Sequence, residues 1–206
     1  MIRVTEVINY HIQPELHNWI LRIGKAKAET ISKKAREIGT EVDELVQIDI
    51  NGKDYQRSDK PEVLSCMSAW HRARREKPWL VKDCIGMQEE ITDGEVIGHY
   101  DLLIDDGERW GIVDVKTSRA IRPEYWTQVA KYWQMKKKDM RREPSFVGIL
   151  RLDKVSESYE YQELTNPADI YYELSVFDAY LVTFRHAEKV RERVRRILEE
   201  ELLDVS

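Results

Sequence analysis

A change of hydrophobic period near Cys84 is the feature that most constrains the fold of this chain. Before it, residues 14–48 have a helical pattern, and six apolar side chains from Ala28 to Leu45 recur at alternating steps of three and four, as on one face of a helix. After it the period falls towards two, and Asp93-Gly94 and Asp106-Gly107 supply hairpin turns. The pattern therefore predicts helices followed by three antiparallel strands. The predicted strand ranges are 85–91, 95–104 and 109–116.

The rest of the chain alternates between helical and β-prone segments. Pro61 suits the first turn of a helix, and Gly39 marks either a helix end or a close approach of another group. The predicted helices are 61–75, 122–138 and 175–203, and the further strands are 146–152 and 158–164. This order predicts an α/β (α+β) fold with a central mixed sheet between helical layers.

No repeat or linker divides the sequence, so we expect one domain over residues 1–206. Its predicted parts are a mainly helical lead-in at 1–80, a sheet with one helix at 81–165, and a C-terminal helix at 166–206.

Composition excludes several classes of protein. The 33 Lys and Arg residues against 38 Asp and Glu residues give a net charge of −5, which argues against binding polyanions by overall charge. The longest charge-free run has nine residues, 63–71, so we expect no membrane span. The first residues lack a secretory signal and only Cys66 and Cys84 are present, which predicts a cytoplasmic protein without a four-cysteine metal site.

Two charged residues interrupt an otherwise apolar strand, Asp114 and Lys116. If Asp106-Gly107 is a two-residue loop, Asp101 faces Ile112 and His99 faces Asp114. The polar side chains of His99, Asp101, Asp114 and Lys116 then share one face. Neighbouring carboxylates repel each other unless a cation joins them, and oxygen ligands suit Mg²⁺ or Mn²⁺ completed by substrate phosphates. The pattern favours phosphodiester hydrolysis, in which Lys116 orients water or neutralises developing charge. The alternative is a simple ion pair between Asp114 and Lys116 at a sheet edge.

Further polar residues are weaker candidates. Gln128 and Tyr132 share a face of the following helix and can donate hydrogen bonds to a phosphate, although Tyr132 equally suits the core. The register of the first hairpin places Glu90 on the face of Asp101, as a reserve ligand or a solvent-facing glutamate. We expect His99 near the site without an essential role.

Several short motifs together resemble the PD-(D/E)XK nuclease superfamily, in its RecB-type branch that includes phage exonucleases. The motifs are Gly98-His-Tyr-Asp101, Asp114-Val-Lys116 and Gln128-Val-Ala-Lys-Tyr132. The resemblance implies a restriction-endonuclease-like fold without an iron–sulfur cluster and a metal site built from Asp101, Asp114 and the Val115 carbonyl. It implies that Lys116 is the catalytic lysine, with Gln128 and Tyr132 beside the metal and the DNA backbone.

Upstream, Gly39-Thr-Glu-Val-Asp43 stands where that branch carries a Gly-Thr-x-x-His helix motif. The resemblance therefore implies that Asp43 is a further metal ligand, with an anionic oxygen in place of the usual imidazole. A solvated helix residue is the alternative at this position.

The resemblance implies a Mg²⁺- or Mn²⁺-dependent DNA nuclease, with an exonuclease of phage-type recombination, repair or processing preferred over an endonuclease. Its partner would be single- or double-stranded DNA, in the host cytoplasm if phage-encoded. Ring-forming relatives make a homo-oligomer an expectation. Two other functions stay open: a non-catalytic nucleic-acid-binding module of the same fold, and a hydrolase acting on nucleotides or RNA.

Overall fold

The computed structural model describes residues 1–140 and 142–204. Arg141 and residues 205–206, the last two positions of the predicted C-terminal part, lie outside the described residues. The helices are α1 (Val4–His11), α2 (Gln13–Ile23), α3 (Lys25–Ile50), α4 (Pro61–Glu76), α5 (Trp79–Lys82), α6 (Pro123–Lys136) and α7 (Pro167–Asp204). The strands are β1 (Ile2–Arg3), β2 (Cys84–Met87), β3 (Glu90–Thr92), β4 (Val96–His99), β5 (Leu102–Asp105), β6 (Trp110–Lys116), β7 (Phe146–Leu152) and β8 (Tyr159–Leu164).

The strands form two mixed sheets, which confirms the predicted α/β class. The larger sheet has the order β2-β5-β6-β7-β8, with β6 and β7 parallel and its other neighbours antiparallel. A parallel pair needs a crossover connection, and α6 supplies it. The smaller sheet has the order β1-β4-β3.

Both faces of the larger sheet are covered by helices, so β6 is buried on each side. Ile112 packs in the cluster that includes residues of α1, α6 and α7, whereas Val113 and Val115 pack in the cluster that includes α3 and α4. Because side chains alternate along a strand, Asp114 and Lys116 lie on the Ile112 face, towards α6. None of the described helices has the length and apolar composition needed to cross a bilayer.

The break in the first predicted helical segment falls at Gly24 and not at Gly39. Gly24 has φ 85° and ψ 145°, a conformation that only glycine adopts readily, and it separates α2 from α3. Gly39 lies inside α3, where an added Cβ would be 3.7 Å from Thr117 Oγ1, an ordinary contact. Helix α7 begins at Pro167, eight residues before the predicted start.

The predicted strands 85–91 and 95–104 are each broken in two. In both cases one half pairs in the larger sheet and the other in the smaller sheet. The breaks fall at Gln88-Glu89 and Tyr100-Asp101, so the chain turns from one sheet to the other there.

Both hairpin registers differ from the predicted ones by two residues. Leu103, not Asp101, pairs with Ile112, and His99 pairs with Glu90 and not with Asp114. The second turn is wider because the Asp106 side chain accepts hydrogen bonds from the backbone N–H groups of Glu108 and Arg109. A shift of two residues leaves every side chain on its original face.

Candidate active site

Asp101 lies at the break between the two sheets, directly before β5. Leu102 pairs with Val113, so Asp101 is opposite Asp114 on β6. Its two carboxylate oxygens are each held by one neutral donor: Val115 N donates to Oδ2 at 2.7 Å, and Gln88 Nε2 donates to Oδ1 at 2.8 Å. The orientation of this carboxylate is therefore fixed by the protein.

Asp114 is buried, but its carboxylate lacks hydrogen bonds like those that hold Asp101. Its exposed fraction is 1%, and neither carboxylate oxygen accepts a well-formed hydrogen bond from the described residues. Its contact is an ion pair, with Lys116 Nζ 2.6 Å from Oδ2. Burial raises the pKa of Asp114 to about 7; Lys116 opposes that rise and the nearby Asp101 adds to it. A buried carboxylate in this condition is stabilised by a cation.

Lys116 supplies one positive charge to the site. Burial alone would lower the pKa of its ammonium group, but the negative charges of Asp114 and Asp101 raise the pKa above its ordinary value. Lys116 Nζ also lies 5.2 Å from the centre of the Tyr125 ring, a cation–π distance. The lysine is therefore held in its charged form beside the carboxylates.

The structure brings Asp43 of α3 into the same electrostatic cluster. Burial raises its pKa to about 8, and Asp101 and Asp114 add to the rise while Lys116 opposes it. Helix α3 approaches the loop after β6 at Gly39 and Thr117, one turn before Asp43. The charges of the site therefore act on this half-buried aspartate.

Tyr132 is buried in the core, and the charge of Asp114 acts on its phenol. Its side chain is 2% exposed, and its hydroxyl accepts a hydrogen bond from Gln128 Nε2 at 3.0 Å. Burial raises the pKa of this phenol, and the charge of Asp114 raises it further. The ring fills the space above Gly98, where an added Cβ would lie 2.4 Å from Tyr132 Cε1. The glycine of the Gly98-His-Tyr-Asp101 motif thus makes room for the tyrosine.

His99 and Glu90 lie on the smaller sheet, whereas Asp114 and Lys116 lie on the larger one. His99 Nε2 is 3.7 Å from Glu90 Oε2, and both side chains are more than half exposed. His99 and Glu90 therefore pair with each other. Within the described residues, neither forms an ion pair with the charged residues of the buried site.

Sequence reasoning missed Gln88, which holds Asp101. The backbone of Gln88 has φ 49°, which is unusual for a residue with a side chain. No local sequence motif predicts this conformation. A register for the first hairpin built on a Gly94-Glu95 turn would have placed Gln88 opposite Asp101.

The residues present fit a divalent ion that retains water. Among the described residues, no group of three or more His, Cys, Asp or Glu side chains could hold an ion alone. The candidates to hold it are Asp101 and Asp114, with the Val115 carbonyl as a further oxygen donor; Asp43 interacts electrostatically with both carboxylates but does not complete a set of three carboxylate ligands with them. Mg²⁺ and Mn²⁺ prefer oxygen ligands, and Mg²⁺ usually keeps several waters and binds substrate phosphates. The observation that favours a cation here is that the buried oxygens of Asp114 accept no well-formed hydrogen bond from the described part of the chain.

Comparisons with known proteins assign the chain to a family. No curated protein sequence matches the chain. An alkaline exonuclease from Laribacter hongkongensis, LHK-Exo, is 13% identical, with 76% of this chain and 86% of that chain covered and a TM-score of 0.38. The structure of LHK-Exo in complex with dAMP is 15% identical over the same shares, with a TM-score of 0.38. The model of the PD-(D/E)XK nuclease superfamily matches residues 15–204, and this chain belongs to that superfamily.

Proposed function

We propose that this protein is a DNA nuclease that depends on Mg²⁺ or Mn²⁺ and hydrolyses phosphodiester bonds. The observation that carries the proposal is the buried carboxylate of Asp114, which accepts no well-formed hydrogen bond from the described residues. It lies opposite the fixed carboxylate of Asp101 and forms an ion pair with Lys116. Membership of a nuclease superfamily supports the reaction class.

Each side chain has a defined part in this proposal. When bound, a divalent ion would polarise a phosphoryl oxygen and lower the pKa of an attacking water. Asp101 and Asp114 supply the negative charge that holds the ion, and Asp43 contributes further negative charge to the site. Lys116 orients the water or neutralises negative charge that develops on the phosphate. Gln128 and Tyr132 donate hydrogen bonds to phosphate oxygens.

The preference for exonuclease action rests on the resemblance to phage exonucleases in the RecB-type branch. A role in phage-type recombination or repair rests on the same resemblance. A comparison of end-labelled linear DNA with closed circular DNA tests it. An exonuclease degrades the linear DNA and leaves the circle intact, whereas cleavage of both at similar rates identifies an endonuclease.

The reaction itself is tested with labelled single- and double-stranded DNA in Mg²⁺, in Mn²⁺ and in EDTA. We expect cleavage by the wild type in either metal, none in EDTA, and a loss of at least about a hundredfold in Asp114→Asn and Lys116→Ala. Asp139→Asn and Lys25→Ala remove the same charges from exposed positions and are the matched controls. Equal cleavage by all five proteins would reject the mechanism. DNA binding without cleavage in any metal would favour a non-catalytic module.

A further inference from the structure

We propose that Gln88 is a positioning residue, which holds Asp101 in the orientation that a divalent ion requires. The inference rests on the proposed function, because it concerns the same cation site. Gln88 does not touch the substrate in this proposal and acts only through Asp101.

The register of the strands places the two residues opposite each other. Met87 pairs with Leu102 in the larger sheet, and Glu90 pairs with His99 in the smaller one. The same spacing continues between these pairs, so Gln88 lies across from Asp101. Both residues therefore stand where the chain passes from one sheet to the other.

Two hydrogen bonds tie Gln88 to Asp101. The backbone N–H of Gln88 donates to the Asp101 carbonyl oxygen at 3.1 Å, and the side-chain Nε2 donates to Oδ1 at 2.8 Å. Since Val115 N donates to Oδ2, each carboxylate oxygen has one neutral donor. Neutral donors orient a carboxylate without cancelling its charge, and each oxygen keeps a lone pair for a cation.

The backbone conformation of Gln88 favours glycine, so the glutamine side chain is kept there at a conformational cost. Its φ of 49° lies in the left-handed region, which glycine adopts without strain. A glutamine there bears a conformational cost that glycine would avoid, and such strain persists where the surrounding structure enforces it. The next residue, Glu89, is also held in place at this break between the sheets. It accepts a hydrogen bond from the Tyr100 hydroxyl, and Lys136 Nζ lies 3.4 Å from its Oε2. The side chain contributes the hydrogen bond that its amide donates to Asp101.

The test separates this positioning from the stability of the fold. Gln88→Gly removes the amide and relieves the backbone strain, and Gln88→Leu removes the donor but keeps the bulk. Glu157→Gly is the matched control, since Glu157 has φ 52° and lies outside the site. Asp101→Asn removes the carboxylate itself. Mn²⁺ affinity is measured by calorimetric titration of each intact protein, and melting temperature is measured in EDTA.

We expect Gln88→Gly and Gln88→Leu to weaken Mn²⁺ binding by about 10- to 100-fold, with Gln88→Gly melting no lower than about the wild-type temperature. Glu157→Gly should bind Mn²⁺ as the wild type does. If Asp101→Asn loses Mn²⁺ binding while both Gln88 variants keep wild-type affinity, the inference is wrong and the proposed function stands. A wild-type protein that binds no Mn²⁺ overturns both.

Discussion

Asp101 and Asp114 lie opposite each other in the sheet, but only Asp101 has its carboxylate oxygens hydrogen-bonded by the protein. The described residues give Asp114 one ion pair with Lys116 and no well-formed hydrogen bond. This asymmetry makes Asp114 the carboxylate that gains most from a bound cation.

The first prediction concerns metal and stability. A ligand at 100 times its Kd stabilises the folded state by about 2.7 kcal/mol, which for a chain of this size is a rise of roughly 5–10 °C in melting temperature. We expect Mg²⁺ to raise the melting temperature of the wild type and to leave that of Asp114→Asn nearly unchanged, as measured by differential scanning calorimetry. An equal rise in both proteins would place the stabilising ion elsewhere.

The second prediction concerns pH in the absence of metal. The pKa of Asp43 is raised to about 8 in the folded protein, above its ordinary value of 3.8. Between these values the folded state keeps a proton that the unfolded state has lost. The contribution of this group is therefore full below about pH 4 and falls as pH rises towards 8.

Asp43→Asn removes that dependence. In EDTA we expect the melting temperature of the variant, relative to the wild type, to increase steadily from pH 5 to pH 8. A difference that stays constant with pH would show that the folded protein does not raise the pKa of Asp43.

The third prediction concerns the Tyr132 hydroxyl. Tyr132→Phe keeps the ring above Gly98 and removes the group that accepts a hydrogen bond from Gln128. We expect a loss of about 1 kcal/mol or less in the free energy of unfolding. Because the proposed function has this hydroxyl bind phosphate, we expect the cleavage rate to fall about tenfold, or about 1.4 kcal/mol in the activation barrier. Urea denaturation and single-turnover cleavage measure the two effects, and an unchanged rate would assign Tyr132 to the core alone.

The fourth prediction compares two glycines of the family motifs. A Cβ at Gly98 would lie 2.4 Å from Tyr132 Cε1, whereas one at Gly39 would make only an ordinary contact with Thr117. We expect Gly98→Ala to destabilise the protein by about 1–3 kcal/mol through overpacking. Gly39→Ala should stabilise it by about 0.5–1 kcal/mol, because alanine is the better helix former. Urea unfolding of both variants checks the signs, and a destabilised Gly39→Ala would show a closer packing at α3 than the structure has.

The sequence predicted which face of the sheet each side chain lies on, but not which residues of neighbouring strands pair. A hairpin register that is wrong by two residues still keeps Asp101, Asp114 and Lys116 on one face, because side chains alternate with period two. The pairs themselves depend on turn geometry. The Asp106 side chain widens its turn by binding two backbone N–H groups, and the Asp-Gly dipeptide alone does not reveal this.

Other features depend on tertiary contacts that no local pattern records. The breaks at Gln88 and at Tyr100 arise because two sheets share these segments, although each segment is β-prone throughout. The helix break at Gly24 was missed because the segments on both sides of it are helical, so the pattern reads as one helical region. Asp43 was placed by the family motif, and its electrostatic coupling to Asp101 and Asp114 required the packing of α3 against the loop after β6.

The central claim is that Asp101 and Asp114 hold a divalent ion together. Anomalous diffraction at the manganese absorption edge, from crystals of the protein soaked in Mn²⁺, tests this claim most directly. We predict a strong anomalous peak within coordination distance of oxygens from both carboxylates. Carboxylates with no peak between them, in crystals that bind Mn²⁺ elsewhere or not at all, would contradict the claim.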